Sequence, residues 1–293
     1  MTVKQAEAIR NEFGRKDNPT EDEFFEFTEA MGFLIEKNKN PGDMMYLGGV
    51  YYELKKFDLA LKYYELAATY EYEEAFSCLG YIWYYGRTGE RDYKKAFECF
   101  SRSADLGNLQ SEYKVADMYK NGYYVERDYE KYKDIIRALY PKVKNARFLN
   151  EPLPEIYTRM ARIYTEEGRI DEAIKLYYVA KDFLSQRLRY NAFFGDLNIM
   201  KWLIDDLYLL TELDDTVIDF YDLFHLLKNP CTVAFRYKNS SYTVKALEED
   251  GQCVITFDGK WFRTRDDFFS RAVIGSRRMT AVCHDFYMFE VSR

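Results

Sequence analysis

The sequence predicts a mainly α protein, a solenoid of stacked helix pairs followed by a small antiparallel α+β domain. Three observations predict it. First, a 36-residue shift carries Gly86 onto Gly122, Asp92 onto Asp128 and Tyr93 onto Tyr129, and the reverse shift carries Ala96 onto Ala60 and Ala104 onto Ala68. A fixed period of 20–50 residues marks a repeat architecture. Second, apolar residues recur at helical spacing as far as Pro230. Third, the period changes to two after Pro230, where Val233, Phe235 and Tyr237 alternate with Thr232, Ala234 and Arg236.

Each repeat needs two helices in close contact. In the second copy, Ala75, Cys78, Leu79, Ile82 and Trp83 form an apolar stripe that contains Gly80. Glycine inside a helix costs about 1 kcal/mol relative to alanine, and close approach of the next helix offsets that cost. Gly48 and Ala116 stand at the same place in copies one and three. The second helix answers with Ala60 and Ala96, each followed four residues on by an aromatic, Tyr64 or Phe100. Asp92 and Asp128 precede their helices as N-caps. One such pair cannot bury both of its stripes alone, so neighbours must stack.

The string Leu79-Gly80, Tyr85-Gly86, Asp92-Tyr93, Ala96, Ala104 and Gly107 resembles the Sel-one-like repeat (SLR). Copy three matches it with Ala116, Tyr119, Gly122, Val125 and Asp128-Tyr129, and departs at Tyr132, where alanine is expected and a larger side chain would hold the helix further out. Copy one spaces Gly48 and Ala60 by 12 residues, similar to the tetratricopeptide repeat (TPR). A fourth copy keeps that spacing from Ala161 to Ala173, with Tyr157, Tyr164, Gly168, Ile170, Tyr177 and Ala180 around it. The resemblance implies a right-handed α-α solenoid that binds proteins or peptides without catalysis. It also implies that the first helix of each pair lines the concave side. The outward positions of those helices are Tyr52 and Glu53, then Tyr81, Tyr84 and Tyr85, then Asp117, Lys120 and Asn121, then Arg162, Thr165 and Glu166. Rings beside charged and amide groups suit a peptide, and Tyr and Trp are enriched in binding hot spots.

Around the repeats, residues 1–40 read as a leading helical pair, a cap or degenerate repeat, with Thr20 capping its second helix. Residues 41–190 hold about four repeats, with a bend at 141–153 marked by Pro141, Pro152 and Pro154. Residues 191–230 read as two capping helices, the second running from Val217 to Leu227. Residues 231–293 form the α+β module, with Asp258-Gly259 as a two-residue hairpin, a short helix capped by Thr264 or Asp266, and extended segments at 279–283 and 286–291.

The chain carries a net charge of −7. Residues 231–293 hold ten basic and eight acidic side chains, a net of +2, which leaves −9 for residues 1–230. An acidic solenoid argues against nucleic acid as its main ligand. No apolar run reaches the length of a membrane span, and no pair of cysteines has metal-ligand spacing, so neither membrane, metal nor cofactor is expected. Five cysteines without paired spacing read as free thiols of a reducing, bacterial cytoplasm. Cys283-His284-Asp285 has the residue types of a thiol triad, but consecutive side chains of an extended segment point to opposite faces. A second reading makes the C-terminal module the active part. Arg263, Arg265, Arg271, Arg277 and Arg278 beside Trp261 and Phe262 would grip nucleic acid or a small ligand, and the solenoid would recruit it.

Overall fold

The computed structural model describes residues 1–16, 19–144, 152–190, 195–211, 219–249 and 251–292. It divides into two compact units, Met1–Leu139 and Tyr140–Arg293.

The first unit is a row of helices: α1 (Val3–Phe13), α2 (Glu21–Asn38), α3 (Pro41–Glu53), α4 (Phe57–Ala68), α5 (Glu73–Tyr85), α6 (Tyr93–Asp105), α7 (Leu109–Asn121) and the start of α8 (Tyr129–Val143). From α1 to α7 each helix packs on the next. The chain marks their ends as the sequence anticipates. Thr20 closes a capping box with Glu23. The carboxylates of Asp92 and Asp128 accept from the backbone N–H of Lys95 and Lys131, at 2.9 and 2.8 Å. Gly86 and Gly122 end α5 and α7 in the left-handed region, at φ 63° and 70°, where a side chain would be strained.

Close approach explains the helical glycines. A Cβ built on Gly48 would lie 2.6 Å from the Tyr64 ring, and one on Gly80 would lie 2.5 Å from the Phe100 ring. In the third pair alanine stands at 116, and the residue 36 positions beyond Phe100 is the smaller Ile136; both are fully buried. Gly49 differs from its neighbour, because a Cβ there meets nothing within 4 Å. Gly49→Ala is therefore expected to raise stability by roughly 0.5–1 kcal/mol in urea unfolding, the helical cost of glycine recovered. A loss would mean that α3 is rotated from the orientation described.

Between the second and third pairs, buried hydroxyls tie helix ends together. Ser103 donates to the Glu73 carbonyl at 2.7 Å and accepts from Ser111 at 2.9 Å. Tyr132 is buried at 1% exposure and stacks on Tyr129 of its own helix at 5.3 Å. Pro141 lies inside α8 and does not end it. The expected bend otherwise falls on residues 145–151, outside the described residues.

The second unit opens with the pair α9 (Leu153–Glu166) and α10 (Ile170–Tyr190), joined by α11 (Asp196–Thr211). Ala161 and Ala173, 12 residues apart, are both fully buried. A buried charge cluster links the three helices: Arg187 donates to Glu155 at 2.7 Å and to Asp196 at 2.5 Å. Lys181 likewise reaches Asp219 and Asp222, both at 2.9 Å.

A 3-10 turn at Phe220–Asp222 runs into α12 (Leu223–Leu226). The expected single helix over 217–227 is thus a turn plus one helical turn among the described residues, and Val217 lies outside them. Next come β1 (Cys231–Tyr237), β2 (Ser240–Glu249), β3 (Gln252–Phe257) and β4 (Lys260–Phe262). Then follow α13 (Arg265–Arg271), the two-residue strands β5 (Val273–Ile274) and β6 (Arg277–Arg278), α14 (Met279–Val282) and β7 (Phe286–Ser292). The sheet is antiparallel in the order β4-β3-β2-β1-β7. Asp258 and Gly259 both take positive φ, 50° and 70°, as a two-residue hairpin between twisted strands requires. Residues 279–283 are helical and turning, not extended, while 286–291 is the strand expected.

One face of the sheet is buried through Val233, Phe235, Val244, Ala246, Ile255 and Phe257. Phe224 stacks on Phe269 at 3.6 Å, and Phe220 meets Phe269 and Phe286 at 5.0 and 5.6 Å. The module read as beginning at residue 231 therefore draws part of its core from residues 220–224.

Candidate functional site

The site is built on α5 and α7 of the first unit. Tyr81 and Tyr85 are one turn apart on α5 and stack at 6.1 Å, and Tyr84 meets Tyr85 edge-on at 5.1 Å. All three rings are half-buried. Their inner edges rest on the core, with Tyr81 against Phe100 at 5.2 Å and Tyr84 against Tyr93 and Tyr123 at 5.5 and 6.0 Å.

Cations lie on these rings. Lys114 of α7 places its Nζ 5.4 Å from the Tyr81 centroid and 5.7 Å from that of Tyr84. Arg87, just beyond the end of α5, lies 5.1 Å from the Tyr85 ring and 5.8 Å from the Tyr52 ring of α3. It also donates from Nε to the Tyr52 hydroxyl at 3.0 Å. Gln110 donates to the Tyr81 hydroxyl at 2.8 Å. Burial raises the pKa of Tyr84, and the nearby Tyr123 and Asp117 add to it. Burial also raises Tyr85, against the pull of Arg87. Both hydroxyls stay protonated at neutral pH and remain hydrogen-bond donors.

Tyr52, Tyr81, Tyr84, Tyr85 and Asp117 thus belong to one electrostatic neighbourhood. The other anticipated residues have these contacts. Lys120 lies over the Tyr132 ring at 5.1 Å, turned toward α8. Asn121 donates back to the Asp117 carbonyl of its own helix at 2.8 Å. Arg162 is in the second unit, where its Nε donates to Asp206 at 2.6 Å, an oxygen that also accepts from Tyr177 at 2.9 Å. That guanidinium ties α9 to α11.

Three contributors escaped the sequence reading: Arg87, Gln110 and Lys114. Lys114 carried a usable signal, since it lies three residues before Asp117 and so on the same helical face. Arg87 carried none, because it follows the glycine that ends α5 and obeys no period.

Cys283, His284 and Asp285 do not form a triad. Cys283 is buried, its thiol donates to the Thr280 carbonyl at 3.5 Å, and burial pushes its pKa up to about 12. His284 Nε2 meets Asp285 instead, at 3.3 Å. Among the described residues, no group of three or more His, Cys, Asp or Glu is placed to hold a metal ion. No helix among them is long and apolar enough to cross a membrane.

No curated protein matches the sequence. Among solved structures, the chain is similar to a Sel1 repeat protein from Oxalobacter formigenes, at 17% identity and a TM-score of 0.49, over 72% of this chain and 78% of that one. It is similar to c5321, a protective antigen of uropathogenic Escherichia coli with an SLR fold, at 17% identity and a TM-score of 0.45, over 64% of this chain and 45% of that one. It is also similar to a thermophilic TPR protein of Thermus thermophilus, at 17% identity and a TM-score of 0.34, over 60% of this chain and 93% of that one. The Sel1 repeat model matches residues 42–69, 79–108 and 109–131, which span α3 to the start of α8. The helix pairs that carry the tyrosine strip lie within the residues that match the Sel1 repeat model.

Proposed function

We propose that the tyrosine strip of the first unit, from Tyr52 through Tyr85 and Tyr81 to Asp117, binds an extended segment of a protein partner. Sel1 and TPR repeats generally serve as protein-interaction scaffolds. The observation that carries the reading here is the set of half-buried tyrosines with Arg87 and Lys114 lying on their faces. Such rings supply large contact area at small entropic cost and keep polar tips for backbone groups of the ligand. The protein acts in this reading as a non-enzymatic adaptor of the bacterial cytoplasm, where the thiols of Cys78 and Cys99 stay reduced.

Central, partly desolvated aromatics typically carry about 2 kcal/mol of binding energy or more. Tyr81→Ala with Tyr85→Ala is expected to weaken capture of the principal cellular partner by about tenfold or more, with circular dichroism unchanged. Arg277→Ala with Arg278→Ala, on β6 of the other unit, is expected to leave capture as it was. Quantitative affinity capture from the native cell checks both. Silent tyrosines and a decisive arginine pair would move the partner site to the C-terminal module.

A further inference from the structure

The second unit passes from helices to sheet through one short segment, the turn at 220–222 and α12. Part of that segment belongs to the sheet module. Phe224 stacks on Phe269, and the Cys253 thiol of β3 donates to the Leu227 carbonyl at 3.4 Å. The next residue, His225, meets α11 instead. Its imidazole lies on the Tyr208 ring, with centroids 4.2 Å apart and planes within 14°. α12 is thus held by the sheet module through one side chain and by α11 through its neighbour.

The charges around this imidazole favour its neutral form. Nδ1 is buried and makes no hydrogen bond among the described residues. The carboxylate facing it is Asp205 of α11, whose Oδ1 stands 3.8 Å away, beyond hydrogen-bond reach. Lys228 already holds that same oxygen at 2.5 Å. Arg265 of α13 donates to the carbonyl of Phe224, next to His225 in the chain. The acids of the surrounding elements are taken by other cations. Asp219 and Asp222 pair with Lys181, Asp266 with Lys201 and Asp267 with Arg271. The other titratable neighbours are the Tyr208 ring and the Cys253 thiol. Burial lowers the pKa of His225 from its ordinary 6.5, Lys228 and Arg265 lower it further, and Asp205 opposes them in part.

We propose that His225 is an acid-sensitive latch: neutral, it holds α12 on α11, and protonated, it releases the joint between the helices and the sheet. An imidazolium carries two N–H donors, so Nδ1–H needs an acceptor where the facing oxygen is already taken. The ring then competes with Lys228 for one carboxylate, and α12 moves off Tyr208. The direction follows from the charges. A basic group whose folded pKa lies below its unfolded value adds stability above that unfolded value, here 6.5, and the stability is lost as pH falls through the folded value. The joint therefore holds at neutral pH and loosens in acid. The latch is independent of the tyrosine strip in the first unit.

The test uses the full-length chain. It has two histidines, so proton NMR shows two imidazole C2–H titrations, and His225→Gln identifies that of His225. A midpoint below 6.5 is expected. Lys228→Gln frees Asp205 and is expected to move that midpoint up. Amide hydrogen exchange at residues 220–228, corrected for the intrinsic rate, is then read at about pH 7.5 and about pH 5.5, on either side of the window in which the latch is lost. The opening constant of the parent is expected to rise between them, by up to about tenfold for each unit by which the midpoint lies below the unfolded value. In His225→Gln it is expected to stay level. Each protein is compared with itself at the two pH values, so a uniform loss of stability in the variant does not enter. A midpoint at or above 6.5, as attraction of an imidazolium to the Tyr208 ring face would give, overturns the latch. Opening that responds to pH equally in the parent and in His225→Gln overturns it as well.

Discussion

Gly80→Leu is expected to destabilise the first unit by about 3 kcal/mol or more in urea unfolding, at the upper end of overpacking costs. The reason is geometric. Three ring carbons of Phe100 lie between 2.5 and 2.9 Å from where a Cβ would stand, so even the first atom of the new side chain collides. Phe100 cannot yield, because it is fully buried and Ala96 is packed in the same cluster. The two helices must separate, and the packing of α6 on α7 loosens with them. The same ring supports Tyr81 at 5.2 Å and Tyr84 at 6.3 Å. Damage to the pair therefore reaches the proposed binding strip, and partner capture should fall together with stability. A change within about 0.5 kcal/mol, as at an ordinary surface site, would show that the helix pair is not packed as described.

The second large effect is expected in the other unit. Arg187→Met should cost about 3–5 kcal/mol, the usual result of removing one partner from a buried ionic cluster. Arg187 is 2% exposed, Asp196 1% and Glu155 7%, so water cannot replace the lost guanidinium. Methionine fills much of the volume but takes the guanidinium away from two buried carboxylates. The triple change Arg187→Met, Glu155→Gln and Asp196→Asn removes the charges together and should recover most of the loss, since neutral replacements of buried ion clusters are often tolerated. Near-ultraviolet circular dichroism during urea unfolding reads both proteins. If Arg187→Met melted like the parent, the cluster would have to be solvated in solution.

These two sites mark where sequence reading succeeded and where it stopped. Gly80 was legible because its cause is local and repeated. A small residue, Gly48, Gly80 or Ala116, stands in the first helix of each pair, and the 36-residue shift from the second copy to the third also carries the Asp cap and the terminal glycine. Arg187 was not legible. Its partners are 32 and nine residues away on other helices, and nothing in the helical period distinguishes a buried arginine from a solvated one. The same holds in the strip, where the tyrosines follow from their place beside Gly80, but Lys114 and Arg87 reach them across helices.

Order along the chain was enough to set the helix pairs, their caps, the change of period at Pro230 and the Asp258-Gly259 hairpin. Each depends on backbone conformation and on packing within one supersecondary unit, which near neighbours in the chain decide. Assembly of the fold was needed to bury Tyr132, to turn residues 279–283 as helix, and to bring Lys120 over the Tyr132 ring and Arg162 to Asp206. Assembly also pairs β7 with β1, which sets Tyr287 opposite Arg236 and completes the sheet. Those outcomes depend on which distant surfaces meet, and a long polar side chain takes whichever partner the assembled fold brings within reach.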